Sequence, residues 1–288
     1  MESTNNTAEI RDFYLNLLKN ALTFYLWGET LLPLEAEKGS SALQHFILKC
    51  LRFGDSAIKT LSGGRVRIAR QFRFDPALRT VGKDWPPLAD TMIGLKRLEN
   101  IQFCIEDILH HNVPGDLIET GVWRGGAVIF MRGVLKAHNV KDRLVWAADS
   151  FSGLPSPDID KYPQDAGDPH HLWSDYLGVS LETVQRNFRR YGLLDDQVRF
   201  LKGWFKDTLP TAPVEKLALL RLDGDMYEST MDALVHLYPK LSVGGYVIVD
   251  DYFLKGCSQA IHDYRAKHSI TDEMISIDWA SVYWRKGK

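Results

Sequence analysis

The fold is decided by two stretches, Leu217-Ala-Leu-Leu-Arg-Leu-Asp-Gly-Asp225 and Gly244-Gly-Tyr-Val-Ile-Val-Asp-Asp-Tyr252. Each is a short apolar run without polar alternation, which is typical of a parallel strand buried on both faces. The segment between them, Ser229 to Leu241, has the pattern of a helix. The two stretches therefore predict a strand–helix–strand unit of an α/β fold with a mostly parallel sheet.

Carboxylates follow both predicted strands at the point where each strand ends. The four acids are Asp223, Asp225, Asp250 and Asp251. Ligands bind at the carboxyl edge of such sheets, and acids crowded there repel one another unless they are protonated or bridged by a cation. A single aspartate could instead cap a helix or begin a turn. The set of four predicts a divalent metal site in an enzyme, although the pattern does not say which three acids would bind the metal.

Composition limits the classes of partner and the cellular compartment. The chain has 288 residues, enough for one large α/β domain with an appendage, and a net charge of -2. That charge gives no electrostatic reason to expect nucleic acid or an anionic membrane as a partner. The three cysteines are widely spaced, which favours a reducing compartment over a disulfide framework. Without an apolar span or the pattern of a signal peptide, we expect a cytoplasmic protein.

A further predicted strand, followed by a glycine turn, lies in the stretch from Asp116 to Gly126. Gly121 can take a positive φ and let a ligand approach the backbone, but no Lys-Ser or Lys-Thr follows, so this is not a P-loop. The next predicted strand ends on Asp149, which is well placed to accept hydrogen bonds from a ribose. Glu119 would repel a pyrophosphate but could pair with a cationic amino group. This combination favours S-adenosylmethionine over NAD.

Residues 151–179 form a long connection rich in prolines, acids and aromatic residues. Connections of this length are usually functional or disordered, and this content favours a folded lid over the site. The lid carries His170 and His171. After the next helix and strand come Trp204 and Phe205, either of which would stack near a purine or pack into the core.

The N-terminal part is predicted to be a helical extension, residues 1–85, that serves oligomerisation or supports the lid. Its two apolar helical patterns, from Ile10 to Trp27 and from Leu43 to Phe53, need a partner, either the main domain or a second subunit. A main domain, residues 86–288, begins with the prolines at 86 and 87. We expect its first helix to begin at Ala89, with Asp90 or Thr91 as the cap.

Five motifs together resemble the macrocin O-methyltransferase (TylF/MycF-type) family, and the similarity runs from about residue 90 to residue 285. They are Ile118-Glu-Thr-Gly-Val-Trp-Arg-Gly-Gly126, Ala148-Asp-Ser-Phe-Ser-Gly-Leu154, Gly203-Trp-Phe-Lys-Asp207, Leu222-Asp-Gly-Asp225 and Val249-Asp-Asp-Tyr252. These enzymes methylate deoxysugar hydroxyls of natural products such as macrolides with S-adenosylmethionine and magnesium. The resemblance implies a Rossmann-like class I methyltransferase fold with an antiparallel C-terminal strand pair, a glycosylated small-molecule substrate, and a homo-oligomer, either a dimer or a tetramer.

The resemblance also implies roles for individual residues. Asp223, Asp250 and Asp251 would be the metal ligands and Asp225 the general base. Independently of the resemblance, the predicted lid would bring in His170 or His171 as the alternative base. The cofactor-binding set would be Thr91, Met92, Glu119, Thr120, Gly121, Asp149, Ser150, Gly203, Trp204, Phe205 and Asp223. Thr91 and Met92, at the head of the predicted Ala89 helix, would line the methionine end of the cofactor or the acceptor pocket.

Three rival functions are consistent with the same residues. One is a catechol-type O-methyltransferase with the same metal and cofactor but a small aromatic diol as acceptor. Another is a nucleotide-dependent oxidoreductase, against which Glu119 counts. The third is a nucleoside-binding or scaffolding protein without turnover, in which the N-terminal helices mediate assembly.

Overall fold

A seven-stranded sheet lies at the centre of the computed structural model, which describes residues 2–34, 42–84 and 86–287. The strands of the protein are β1 (Thr30–Pro33), β2 (Ala69–Phe72), β3 (Asp116–Thr120), β4 (Val145–Asp149), β5 (Val198–Lys202), β6 (Leu217–Leu222), β7 (Leu241–Val249), β8 (Ile275–Ser276) and β9 (Val282–Arg285). The helices are α1 (Glu2–Leu22), α2 (Ala42–Leu61), α3 (Pro76–Thr80), α4 (Leu95–His110), α5 (Gly126–Ala137), α6 (Ser174–Leu177), α7 (Leu181–Arg190), α8 (Phe205–Thr208), α9 (Tyr227–Leu237) and α10 (Lys255–Lys267).

The strand order of the central sheet is β5-β4-β3-β6-β7-β9-β8. The first five strands in this order are parallel, whereas β9 pairs antiparallel with both β7 and β8. This confirms the predicted parallel sheet with its antiparallel C-terminal pair. After β5 the chain returns to the other side of β3, so the strand order reverses between β3 and β6. Ligands of open α/β sheets bind at the carboxyl edge of such a reversal.

Two apolar clusters cover the two faces of the sheet. One cluster joins sheet residues to the helices α1, α4 and α5, with Leu15, Ile101 and Val128 among its members. The other joins the sheet to α9 and α10 through Leu234 and Ile261. All six residues of β6 are buried between these layers, as expected for a strand that is apolar except for Arg221.

The N-terminal part contains the predicted helices and also a strand pair that the sequence did not predict. Helix α1 packs on α5, where a Cβ added to Gly133 would lie 2.4 Å from Leu18. The main domain is therefore one partner of α1. After α2 the chain turns back because Asp55 accepts hydrogen bonds from Arg67 and from the Ile68 amide, and β2 then pairs antiparallel with β1.

The prediction of a helix beginning at Ala89 is wrong, because α4 begins at Leu95 with Gly94 as its N-cap. Contacts with distant residues hold the preceding segment out of the helix. The Asp90 amide donates to the Leu22 carbonyl at 2.9 Å, and the Asp90 carboxylate accepts from the Tyr191 hydroxyl at 2.6 Å. Thr91 and Met92 therefore lie in a loop rather than in a first helical turn. The predicted boundary falls at Trp85, outside the described residues, and the division there stays a prediction.

The described residues include no helix that is both long and apolar enough to cross a membrane. All three cysteines are free, with Cys104 and Cys257 buried and Cys50 exposed.

Candidate active site

Two adjoining recesses open at the carboxyl edge of the sheet, and we call them recess 1 and recess 2. Recess 1 is lined by residues that include Gly121, Asp149, Ser150, Trp204 and Phe205. Recess 2 is lined by residues that include Thr91, Glu119, His170, Asp250 and Asp251. The residues common to both are Met92, Val122, Trp123, Leu177, Asp223 and Asp225. A ligand in one recess would therefore be next to a ligand in the other.

Gly121 allows the ends of β3 and β6 to converge beneath recess 1. Its φ is +92°, and a Cβ at this position would lie 1.6 Å from the carbonyl oxygen of Asp223. The Asp223 amide donates to the Thr120 carbonyl at 2.9 Å and fixes the same junction. The sequence predicted that this glycine would let a ligand approach the backbone. Gly121 does line recess 1, but the group that the structure places against it is the end of the neighbouring strand.

Substitution of Gly121 by alanine is expected to prevent stable folding, because the new methyl group would overlap the backbone of Asp223. Gly167 is a matched control, since it has a φ of +84° and nothing within 4 Å of an added Cβ. Gly167→Ala should lose only the left-handed backbone cost of roughly 1–2 kcal/mol. Thermal unfolding of both variants tests this, and similar losses in the two would contradict the role of the close approach.

Three carboxylates at the ends of β6 and β7 form a group suited to a metal ion. Asp223, Asp250 and Asp251 each offer one oxygen, and these oxygens all lie within 4.8 Å of one another. Magnesium and calcium prefer hard oxygen donors, and three carboxylates would leave further coordination positions for water or a substrate. Asp225 lies beside them with a left-handed backbone, φ +60°, and its amide donates to Asp251 at 3.2 Å.

Two buried arginines hold these acids in place. Arg221 donates to Glu119, to Asp250 and, at 2.7 Å, to Asp223. Arg97 donates to Asp250 at 2.5 Å and to Asp278 at 2.8 Å. Neither arginine was predicted as a site residue. The signal for Arg221 was its place in an otherwise apolar strand, because a buried guanidinium requires carboxylate partners.

The carboxylates in this group outnumber the two arginines. Burial, together with this excess of negative charge, raises the pKa values of several of the acids. Burial, together with the charges of Asp223 and Asp250, raises the pKa of Glu119 to about 8 despite Arg221. Burial and the charge of Asp223 raise the pKa of Asp225 to about 7. Burial and three neighbouring aspartates hold the pKa of Asp251 well above its ordinary range. Glu119 also keeps one buried oxygen, Oε2, without a hydrogen bond among the described residues. The residues present therefore fit a divalent cation.

The metal-free protein is expected to lose stability as the pH rises from about 4 to about 8. Glu119 and Asp225 bind protons more tightly in the folded chain than in the unfolded chain, so deprotonation favours unfolding. Magnesium should offset this loss, and its stabilising effect should grow over the same range. Thermal unfolding at several pH values, in EDTA and in magnesium, tests this. A magnesium effect that is independent of pH would contradict it.

Most residues predicted to bind the cofactor line the recesses. Asp149 accepts from the Val122 and Phe151 amides, at 2.6 Å each, so its carboxylate fixes the turn beside recess 1 and keeps lone pairs for a ligand. Glu119 faces recess 2 rather than recess 1 and bonds Arg221. Thr120 and Gly203 line neither recess; Thr120 is the last residue of β3 and Gly203 directly follows β5.

The segment 151–179 is folded and borders both recesses; that it closes over the site as a lid stays a prediction. Two 3-10 turns and α6 shape it, and the Trp123 indole donates to the Tyr176 carbonyl at 3.0 Å. His170 lines recess 2 and bonds Asp168 at 2.8 Å, whereas His171 lines neither recess. Of the two candidate histidines, only His170 is therefore next to the acids.

Asp165 anchors this lid and was not predicted as a functional residue. It is buried, and its carboxylate accepts from the Tyr227 amide at 2.6 Å and from the Glu228 amide at 3.0 Å. These are the first two amides of α9, the helix that follows Asp223 and Asp225. The lid thus supplies the cap of the helix beside the acids.

Comparison with known proteins gives matches along almost the whole chain. The sequence profile of a family described as Macrocin-O-methyltransferase (TylF) matches residues 11–286. Mycinamicin III 3''-O-methyltransferase of Micromonospora griseorubida is 59% identical over 215 residues, which is 74% of this chain and 85% of that protein. 8-demethyl-8-(2,3-dimethoxy-alpha-L-rhamnosyl)-tetracenomycin-C 4'-O-methyltransferase of Streptomyces olivaceus is 47% identical over 279 residues, 97% of this chain and 94% of that protein. The solved structure of the O-methyltransferase NovP has a TM-score of 0.80 at 48% identity, covering 96% of this chain and 100% of that chain.

Proposed function

The chain belongs to the macrocin O-methyltransferase (TylF) family and is an O-methyltransferase of class I fold, and from this we propose that it methylates a deoxysugar hydroxyl of a glycosylated natural product, using S-adenosylmethionine and magnesium. The observation that carries the proposal is the position of Asp223 and Asp225. These two acids line both recesses, and Asp223 also belongs to the carboxylate group suited to a cation. The names of two relatives, which describe methylation of mycinamicin III and of a rhamnosyl tetracenomycin, support a glycosylated acceptor.

Recess 1 would hold the cofactor. S-adenosylmethionine would supply a methyl group on a sulfonium. The backbone at Gly121 lies at the strand reversal, where ligands of such sheets bind. Asp149 would accept from the ribose hydroxyls, and Trp204 and Phe205 would flank the purine.

Recess 2 would hold the acceptor. Asp223, Asp250 and Asp251 would hold magnesium, which when bound would lower the pKa of an acceptor hydroxyl and orient it. Asp225 would take the hydroxyl proton, because it lines both recesses and would therefore lie next to both the cofactor and the acceptor. The lid and Met92 would exclude water from the same space.

Self-association is a further part of the proposal. One face of α2 exposes large apolar side chains to solvent: Leu43, Phe46, Ile47, Leu51 and Phe53. Contiguous apolar patches on a surface often mark protein interaction sites. Light scattering on the purified protein would distinguish a dimer or tetramer from a monomer.

The test is mass spectrometry of the product after incubation with S-adenosylmethionine, magnesium and a panel of glycosylated metabolites and simple diphenols. We expect a glycosylated product heavier by one CH2 unit, absent when EDTA is added. A product formed only from diphenols would favour the catechol-type alternative. Undiminished turnover in EDTA would contradict the role of the metal.

A further inference from the structure

Two aromatic side chains line recess 2 and do not line recess 1. Phe253 lies just after β7, and Trp279 lies between β8 and β9. Their ring centroids are 4.8 Å apart and their planes are inclined by 54°. The same recess contains the acids Asp250 and Asp251, so an apolar surface and a cluster of carboxylates face one space.

Both rings are exposed but held in place. Phe253 is 52% exposed and Trp279 is 43% exposed, so together they form an exposed apolar patch, which is more informative than a single exposed side chain. The Trp279 indole donates to the Val81 carbonyl at 2.9 Å, and the Phe253 amide donates to the Ala280 carbonyl at 3.1 Å. The Trp279 ring is thus fixed through its indole nitrogen, and the Phe253 ring packs against it from a fixed backbone, so the pair is a preformed surface.

Two cationic side chains lie next to the Trp279 ring, and one of them also bonds an acid of the site. The Arg97 guanidinium carbon lies 5.7 Å from the centre of the Trp279 ring, and the same guanidinium donates to Asp250 at 2.5 Å. A single guanidinium thus separates the aromatic surface from a proposed metal ligand. The Lys83 ammonium lies 5.5 Å from the ring on the solvent side and offers a hydrogen-bond donor at the rim.

We propose that Trp279 and Phe253 form a stacking platform for the apolar C–H face of the acceptor sugar and thereby help determine acceptor specificity. A sugar ring has hydroxyls at its edge and C–H groups on its faces. With two hydroxyls directed to the acids, one C–H face can pack on the aromatic surface. Recesses that combine aromatic walls with a few polar groups bind and orient small molecules in this way. This inference rests on the proposed function and adds the residues that recognise the sugar ring.

The experiment compares Trp279→Leu, Trp279→Phe and Phe253→Leu with the wild-type enzyme. The leucine variants keep apolar bulk and lose the flat ring, so the KM for the acceptor should rise roughly tenfold while kcat changes little. Trp279→Phe keeps a flat ring and should stay within roughly threefold of wild type. The KM for S-adenosylmethionine and the magnesium dependence should not change in any of them.

Phe103→Leu is the matched control. Phe103 is 48% exposed, contacts the rings of Tyr246 and Tyr283, and lines neither recess. Its acceptor KM should equal that of wild type. An unchanged acceptor KM in both leucine variants, or an equal loss in Trp279→Phe and Trp279→Leu, would overturn the platform while leaving the proposed function intact. A wild-type enzyme that methylates none of the glycosylated acceptors would instead overturn the proposed function, and the platform with it.

Discussion

Replacing Asp251 with asparagine is expected to make the metal-free protein more stable while lowering methyl transfer by roughly 10²–10³-fold. Asp251 is one of the three carboxylates that would hold magnesium, and an amide offers a weaker ligand without charge. Its largest neighbouring charges are the carboxylates of Asp225, Asp223 and Asp250, which together with burial raise its pKa. A group whose pKa is raised in the folded chain costs stability once it is ionised, so the neutral amide should remove that cost.

The measurement is a pair of thermal unfolding curves, in EDTA and in magnesium, together with initial rates against magnesium concentration. The unfolding temperature of Asp251→Asn in EDTA should exceed that of wild type by a few degrees. Magnesium should then add little stability, because one ligand is missing. A variant that is less stable than wild type in EDTA, or fully active without magnesium, would contradict this account of the acids.

Asp55→Asn is the matched control, since it makes the same chemical change at another buried aspartate. Asp55 accepts hydrogen bonds from Arg67 and from the Ile68 amide rather than facing other acids, and these bonds lower its pKa. A group whose pKa is lowered in the folded chain contributes stability when it is ionised, so this replacement should lower the unfolding temperature at neutral pH. The magnesium dependence should persist, because Asp55 lines neither recess. The opposite signs of the two stability changes separate acids that repel one another from an acid that is satisfied by hydrogen bonds.

Local patterns in the sequence were enough to predict the sheet and the edge that carries the site. Apolar runs without alternation indicated buried parallel strands, and an acid directly after such a run must lie at the carboxyl edge. That reasoning placed Asp223 and Asp250 close together although 27 positions separate them in the chain. It required only the direction of each strand, which a strand–helix–strand unit determines.

The features that the sequence did not predict depend on contacts between distant residues. The capping role of Asp165 requires the lid to reach α9, and nothing in the local sequence indicates that partner. The start of α4 was predicted too early, because Asp90 does not cap a helix. Its amide bonds the Leu22 carbonyl and its carboxylate bonds the Tyr191 hydroxyl instead. The partner of Glu119 could not be assigned either, since a carboxylate at a strand end is equally suited to a ligand amine and to Arg221. Propensity and periodicity carry no information about such pairings.

Replacing Asp225 with asparagine is expected to lower kcat by roughly 10²–10⁴-fold with little effect on the KM for S-adenosylmethionine. Asparagine tolerates the left-handed backbone of this position and keeps the amide that donates to Asp251, so the fold should persist. A base acts in its deprotonated form, so the wild-type rate should rise with pH through the pKa of Asp225. Burial and the charge of Asp223 raise that pKa to about 7 in the metal-free protein, and a bound cation would lower it.

His170→Gln distinguishes Asp225 from the alternative base, because His170 lines the same recess and lies close enough to lower the pKa of Asp225 by its charge. If Asp225 is the base, pH–rate profiles should show the rising limb in wild type and in His170→Gln, displaced upward in the latter because the lowering charge is gone. The limb should be absent from the residual activity of Asp225→Asn. Loss of the limb in His170→Gln, with retention of activity in Asp225→Asn, would assign the proton transfer to the lid histidine.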